Sequence, residues 1–229
     1  MKKLSFLLIS LSIITISQAQ NLAKVTITDM GNIEKLSFGL RENVLLNISK
    51  DGNIMDWGID RYAGRLQESK PGVLDPYQGR VEYYTESENE AFRGKVKSIG
   101  GIFITYYPSS AEDGFAGKVK TVGPNKFDYY KAVENEAFRG NIKSAGQTTF
   151  TWFSSYDNAA YSGKPKSIGS SNIAYYSNFD DQAYRGKLKS LGSQTFTYYS
   201  STDLKDYRGR PKNGMQFQFI NGIKYQFKY

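Results

Sequence analysis

Residues 92–100 read FRGKVKSIG, and similar segments begin at Phe115 (FAGKVKTVG), Phe138 (FRGNIKSAG), Tyr161 (YSGKPKSIG), Tyr184 (YRGKLKSLG) and Tyr207 (YRGRPKNG). The leading aromatic residue therefore recurs every 23 residues. A second element keeps the same step: Tyr106-Tyr107, Tyr129-Tyr130, Trp152-Phe153, Tyr175-Tyr176 and Tyr198-Tyr199. Self-similarity at a fixed period is typical of repeat proteins, in which each unit packs mainly on its neighbours. The sequence predicts a tandem array over residues 92–214.

Each unit, numbered from its leading aromatic residue, predicts a β-hairpin. Positions 1–7 predict one strand, positions 8–10 a turn that contains glycine, and positions 11–16 a second strand, followed by a polar loop. We expect position 5 to pair with position 13, and the glycine at position 3 with the first aromatic residue of the doublet at position 15, because a ring can cover a strand glycine. Positions 1, 3, 5, 13 and 15 would then share one apolar face.

Shorter elements flank the array. The motif recurs in shortened form at Tyr62 (YAGRL) and Tyr77 (YQGRV), within residues 62–91. Residues 20–61 contain two turn sequences, DMGNI and KDGNI, each between apolar runs, which predict β-hairpins. Asn221-Gly222 lies between alternating apolar residues and predicts a hairpin over residues 215–229. The predicted fold class is all-β: an elongated antiparallel sheet of tandem 23-residue β-hairpin repeats with terminal hairpin caps.

The first 19 residues predict a signal peptide. Met1-Lys2-Lys3 is positively charged, residues 4–16 are an apolar and hydroxyl run, and small residues precede a cleavage site after Ala19. The run is shorter than the ~20 residues of a spanning helix, although an uncleaved anchor is the alternative. Cleavage removes two lysines and reduces the net charge from +8 to +6. We expect the mature chain to be secreted, periplasmic or on the cell surface.

The composition excludes several classes of site. The chain has no Cys and no His, so it contains no disulfide, no Ser-His-Asp triad and neither of the soft ligand types that zinc prefers. The acidic loops lack an ordered calcium-ligand sequence. We therefore expect no cofactor, no metal and no enzymatic activity. The rival hypothesis is a glycan hydrolase that uses Glu134 and Glu136 as its acid and base.

The face opposite the apolar one carries cations and aromatic residues in every unit. We expect Arg at position 2 to lie against the second aromatic residue of the doublet, at position 16, as a cation–π pair. The candidate ligand-binding residues are Lys95, Lys97, Tyr107, Lys118, Lys120, Tyr130, Lys143, Phe153, Lys164, Lys166, Tyr176, Lys187, Lys189 and Tyr199. Rings can stack on sugars and rows of lysine attract polyanions. The simpler interpretation is that Tyr favours strands and Lys protects an exposed sheet.

The aromatic-x-Gly-basic motif with a 23-residue hairpin unit resembles MORN-type repeats over about residues 62–214. The matching residues are the leading aromatics and Gly94, Gly117, Gly140, Gly163, Gly186 and Gly209. The resemblance implies an elongated sheet of hairpins that acts as a scaffold or interaction surface. We expect an exported binding or scaffolding module for polysaccharide or another envelope protein, with no nucleic-acid partner. A self-associating structural subunit is the alternative. The apolar face could be covered by curling of the sheet, by the N-terminal hairpins or by a second copy.

Overall fold

The computed structural model describes residues 22–61 and 72–229 of the chain, and these residues form strands and no helix. In particular, this part of the chain has no helix with the length and hydropathy needed to cross a bilayer. The predicted signal peptide and the shortened copy at Tyr62 lie outside the described residues. The predicted all-β fold is confirmed.

The strands follow one another in three groups. The N-terminal group is β1 (Leu22–Thr28), β2 (Ile33–Gly39), β3 (Val44–Ile48) and β4 (Ile54–Ile59). The repeat group is β5 (Val81–Tyr83), β6 (Val96–Ile99), β7 (Ile102–Tyr106), β8 (Val119–Val122), β9 (Asn125–Tyr129), β10 (Ile142–Ala145), β11 (Thr148–Trp152), β12 (Pro165–Ile168), β13 (Ser171–Tyr175), β14 (Leu188–Leu191) and β15 (Gln194–Thr195). The C-terminal group is β16 (Phe217–Ile220) and β17 (Ile223–Lys228).

These strands form two sheets. The first has six strands in the order β16-β17-β1-β2-β3-β4, so the two ends of the described chain lie in one sheet. Strands β1 and β17 pair in parallel, whereas the other neighbours in this sheet are antiparallel. The C-terminal hairpin is confirmed, because Ile220 pairs with Ile223 across Asn221-Gly222. The second sheet has eleven strands, β5 to β15, each beside its neighbours in the sequence.

The register of the repeat hairpin differs from the predicted one. Ser98 pairs with Phe103, and Ile99 with Ile102, so position 7 lies opposite position 12 and position 8 opposite position 11. The prediction that position 5 pairs with position 13 is therefore wrong by one residue. The turn has two residues, positions 9 and 10, and its first glycine has φ between 53° and 57° in all five hairpins. Two-residue loops of this kind match the twist of the adjoining strands, which explains why the three-residue turn does not form.

The first strand of each unit is also shorter than predicted. It begins at position 5, as Val96 and Val119 do, while positions 1–4 form a tight turn. The glycine at position 3 belongs to that turn, with φ between 73° and 77°, and does not face the ring at position 15. Backbone in this left-handed region favours glycine, which is why the motif requires it.

A β-bulge restores the predicted apolar face despite the changed register. Tyr106 pairs with Val119 and Thr105 with Thr121, so Lys120 is an extra residue on strand β8. Because of this extra residue, positions 5 and 8 both point inward although they are three residues apart. Positions 5, 13 and 15 are buried in the complete units, as predicted.

The N-terminal and C-terminal hairpins cover the apolar face of the repeat sheet. Phe38 on β2 contacts Phe127 on β9, with ring centroids 4.9 Å apart, and Phe196 contacts Phe227 on β17 at 5.0 Å. The turns of the first sheet also accept hydrogen bonds from amides at position 5, including Val119 N to Gly52 O at 2.9 Å. Of the three coverings that the sequence left open, the structure contains the one made by the N-terminal hairpins, with the C-terminal hairpin added.

Candidate functional site

A column of aromatic rings runs along one end of the repeat strands. The leading ring Phe92 lies between Tyr84, the second doublet residue of the preceding unit, at 4.8 Å, and Tyr106, the first doublet residue of its own unit, at 6.0 Å. Equivalent contacts recur along the array, for example between Tyr176 and Tyr184 at 4.6 Å. Such pairs each contribute about 0.5–1.5 kcal/mol beyond burial. The doublet is therefore first of all a packing device that joins adjacent units.

Four of the candidate lysines stabilise the array from within. These inner lysines, at position 4, are Lys95, Lys118, Lys164 and Lys187. Lys95 Nζ lies 5.3 Å from the centroid of the Tyr106 ring and donates a hydrogen bond of 2.6 Å to Gly117 O in the next unit. Burial lowers the pKa of the Lys95 and Lys164 ammonium groups. An inner lysine thus links two units, and its ammonium group is already engaged in that contact.

The third unit shows what this position requires. It has Asn141 where the others have an inner lysine, and there Lys50 from the turn after β3 places its ammonium 5.7 Å from the Trp152 ring. A cation therefore lies over the first doublet ring in this unit too, although it comes from the other sheet. The exchange supports a packing role for the inner lysines.

The lysines at position 6 form a separate, exposed row. These outer lysines are Lys97, Lys120, Lys143, Lys166, Lys189 and Lys212. Each lies over the second doublet ring of the preceding unit, at 5.1 to 5.7 Å from its centroid. The predicted cation–π partner, Arg at position 2, is wrong: Arg93 projects from the tight turn and lies 3.7 Å from Glu86. The position-6 lysine is the extra residue of the bulge, and the bulge directs it toward the second doublet ring in place of the arginine.

The second doublet residues are half-buried and already have partners. Tyr107 donates its hydroxyl hydrogen bond to Phe127 O at 2.9 Å, and Tyr130 and Tyr176 make the equivalent bond in their units. Burial raises the pKa of the Tyr107 hydroxyl. Since one face of each ring is also covered by an outer lysine, these rings hold the lysines in place and offer little free surface for stacking on a sugar.

Hydroxyl groups lie beside the outer lysines on the same face of the sheet. Thr105 and Thr121 form a hydrogen bond of 2.7 Å across adjacent units, and Thr151 and Ser167 form one of 2.6 Å. In each complete unit an outer lysine thus lies on the exposed face, and in these units hydroxyl groups lie beside it. Of the predicted residues, the structure leaves Lys97, Lys120, Lys143, Lys166 and Lys189 on this face, and places the inner lysines and the doublet rings in the packing.

Sequence reasoning missed the role of the loops. Asn135 Oδ1 accepts hydrogen bonds from Ala137 N and from Ser155 N in the next loop, both at 3.0 Å. The same position, three residues before the leading aromatic, is Asn89, Asn158 or Asp181 in other units and makes similar bonds. Its recurrence at the 23-residue step was the available signal. The loops are stacked on one another as regularly as the strands.

Serine and aspartate residues fix the same loops. Asp157 Oδ2 accepts from Ser154 N at 2.6 Å and from Ser154 Oγ at 2.7 Å, and the pairs Ser177–Asp180 and Ser200–Asp203 repeat this arrangement. These bonds favour the carboxylate, so they lower the pKa of Asp157 and of Asp180. The loop acids are therefore part of the turn structure.

We expect the loops to lose stability in acid. Because the pKa of Asp157 is lowered in the folded state, its contribution is present above the ordinary value of 3.8 and is lost as the pH falls through the folded pKa. Urea unfolding of Asp157→Asn should therefore show lower stability than wild type at neutral pH and a flatter dependence on pH from about 4 to about 2. Asp113→Asn, which removes an equal charge from another loop, is the control. An unchanged acid slope in Asp157→Asn would contradict this interpretation.

The acidic pair of the rival hypothesis lies in one of these loops. Glu134 Oε2 accepts a hydrogen bond from Lys131 N, and Glu134 Oε1 lies 3.8 Å from Lys143 Nζ. Glu134 thus occupies the place that Asp157 has in the next unit. Residues 22–61 and 72–229 contain no group of three or more acidic side chains placed to hold a metal ion.

No family model, curated protein or solved structure matches this chain.

Proposed function

We propose that this chain is an exported, non-enzymatic binding module whose ligand is an anionic polysaccharide, held along the outer lysine row. The observation that carries the proposal is the even spacing of six ammonium groups, each placed over a ring. One unit contributes two strands, so neighbouring ammonium groups are about 10 Å apart along the sheet. A linear polymer with regularly spaced carboxylates or sulfates suits such a row.

The ring contacts favour binding by restricting the lysines in advance. A long flexible side chain normally loses rotamer freedom when it binds, at about 0.5–1.5 kcal/mol each. An outer lysine already held over a ring loses less. Partial neutralisation by loop acids, such as Glu88 at 3.6 Å from Lys97 Nζ, weakens the row at some units. The loop before the second unit has Ala111 at the position where Glu88 and Glu134 stand in their loops, so Lys120 is a strong contributor in this proposal.

The location and the family are part of the proposal. The N-terminal sequence supports export, and the resemblance to MORN-type repeats supports a role as an interaction surface. An envelope protein with an acidic segment is the other ligand that such a row suits. Both ligands would bind through summed charge over several units, because exposed lysines contribute only about 0.2–1 kcal/mol each.

Binding of the mature protein to alginate, as an anionic probe, and to dextran, as a neutral one, tests the proposal. We expect alginate binding that weakens as salt is raised, and no dextran binding. The triple variant Lys120→Gln, Lys143→Gln and Lys166→Gln should lose about threefold to 150-fold in affinity if each lysine contributes within the range for exposed charges. Isothermal titration calorimetry or biolayer interferometry measures both the salt dependence of binding and the loss of affinity.

The matched control removes equal charge away from the row. Lys131, Lys205 and Lys228 are exposed lysines outside it, and their triple change to glutamine should leave the affinity within about twofold of wild type. Equal losses in both triple variants would indicate a non-specific effect of net charge and would contradict a site on the outer row. Circular dichroism confirms that each variant is folded.

A further inference from the structure

The array begins on half of a repeat unit. Val81 pairs with Ile99 and Tyr83 with Val96, as Ile104 pairs with Val122 and Tyr106 with Val119 in the next step of the sheet. Residues 81–84 therefore correspond to positions 13–16, the return strand of a unit. In the part of the chain that the structure describes, β5 is the outermost strand of the sheet, and no first strand of its own unit lies beside it.

The array ends on the other half. Pro211 pairs with Tyr198, and Lys212 N donates to Thr197 O at 2.8 Å, so residues 207–214 occupy positions 1–8, the first half of a unit. The chain then leaves the repeat sheet and enters β16 of the other sheet. Within the described residues, the unit that starts at Tyr207 thus has a first half without a return strand, whereas residues 81–84 form a return strand without a first strand beside it.

Complete units show which contacts the two halves of a unit make with each other. The return strand provides the ring at position 15, which contacts the leading ring of its own unit and receives the residue at position 4 over its face. In three such units its hydroxyl donates to the carbonyl at position 5: Tyr106 to Val96 O at 2.9 Å, Tyr129 to Val119 O at 2.7 Å and Tyr175 to Pro165 O at 2.9 Å. Among the described residues, the rings at the two ends of the array do not have these partners, and Tyr83 is 52% exposed and Tyr207 47%.

We propose that the chain associates head to tail with a second copy, in which residues 207–214 of one copy and residues 81–84 of the next form one complete repeat unit. Tyr83 of the second copy would take the place of the absent position-15 ring, against Tyr207 and under the Arg210 guanidinium. Tyr199 would donate to the Val81 carbonyl, as Tyr107 donates to Phe127 O. This inference rests on the fold and is independent of the proposed ligand.

Neither edge carries a residue that prevents the sheet from continuing. Pro211 stands at position 5, but Pro165 stands at the same position in β12, which has a strand on each side. Glu82 already pairs with Arg80 and accepts a hydrogen bond from Ser98 Oγ, and at the junction it would also face the basic residues Arg210 and Lys212. The proposed junction extends only the repeat sheet. The first sheet does not extend in the same way, because Ile59 of its outer strand β4 already pairs with Asp75. The contact joins two different surfaces, so it generates an open chain of copies unless the rotation closes a ring.

Engineered disulfides test the proposed junction, because the protein has no cysteine of its own. Position 12 of the N-terminal half is Arg80 and position 7 of the C-terminal half is Asn213; these positions pair directly in every complete hairpin, as Ser98 pairs with Phe103. Both side chains are exposed. Within one chain they lie at opposite ends of the sheet, about 50 Å apart, so only a bond between copies can form.

The double variant Arg80→Cys, Asn213→Cys should give a ladder of disulfide-linked dimers, trimers and longer species under mild oxidation, on a non-reducing gel. The control Arg80→Cys, Thr149→Cys, with an exposed partner in the middle of the array, should remain largely monomeric. Adding Tyr83→Lys, which opposes Arg210, should abolish the ladder while circular dichroism stays unchanged. Sedimentation of the wild-type chain should show a mass that increases with concentration.

Two results would overturn the proposal. One is a double variant that remains as monomeric as its control while wild type sediments as a monomer at every concentration; the edge of β5 would then not bind a second copy. The other is a ladder that Tyr83→Lys leaves intact. Polysaccharide binding through the outer lysines would be unaffected by either result, so this test and the previous one fail separately.

Discussion

Replacing Phe127 with alanine is expected to lower the free energy of unfolding by about 3–5 kcal/mol, the range for large aromatic residues in protein cores. Phe127 is 1% exposed, and its ring packs edge-on against Phe38 at 4.9 Å, so it joins the repeat sheet to the sheet that covers it. Its removal leaves a cavity between two sheets that are each held by backbone hydrogen bonds and that close around it only in part. Chemical denaturation followed by fluorescence or circular dichroism measures the change.

Phe103 is the matched control for Phe127. It stands at position 12, one place before the equivalent of Phe127, and lies on the opposite face of the sheet, where it is 59% exposed. Phe103→Ala should change the unfolding free energy by about 0.5 kcal/mol or less. Similar decreases in unfolding free energy from both substitutions would mean that the repeat sheet does not bury position 13 against the first sheet.

Replacing Gly52 with alanine is expected to destabilise the protein by roughly 2–5 kcal/mol. Gly52 has φ of 87°, where a side chain costs about 1–2 kcal/mol. A Cβ atom there would also clash with the ring of Tyr129, which is buried and donates to Val119 O at 2.7 Å. Forcing extra atoms into such a packed contact adds about 1–3 kcal/mol. Thermal and urea unfolding measure the sum.

Gly222→Ala separates the two contributions. Gly222 has φ of 81°, close to that of Gly52, but no atom lies within 4 Å of the position that its Cβ would occupy. This control introduces the backbone strain alone, so it should lower the free energy of unfolding by about 1–2 kcal/mol. If Gly52→Ala costs no more than Gly222→Ala, the close approach of the KDGNI turn to the repeat sheet would be contradicted.

The structure gives the aromatic-x-Gly-basic motif a physical meaning in each of its parts. The aromatic residue packs between two doublets, and the glycine permits the tight turn that precedes the first strand. The inner lysine links its unit to the carbonyl of the next glycine, as Lys118 does to Gly140 O at 2.5 Å. All three parts act between neighbouring units. The repeat is therefore best understood as a device for joining units, and the outer lysine is the part that remains available to a ligand.

The sequence predicted the identity of the inward residues better than it predicted how the strands pair. Positions 5, 13 and 15 were recognised as buried because alternating apolar residues report directly on burial. The register was wrong by one residue, and the Arg–ring pair with it, because a bulge at Lys120 and its equivalents adds a residue that leaves no mark in an alternating pattern. The separation of the lysines into an inner and an outer row follows from that bulge and from the turn at positions 1–4.

By itself, the sequence determined that the chain is an all-β repeat array with hairpins at both ends, because period, alternation and turn residues are local properties. Only the tertiary structure decided that those end hairpins meet, with β1 beside β17, in a single sheet over the apolar face. That pairing joins segments two hundred residues apart, such as Lys24 and Lys224, and no local pattern records which distant surfaces bury each other. The tertiary structure likewise decided which lysines face solvent, since their exposure depends on the bulge and on the neighbouring unit.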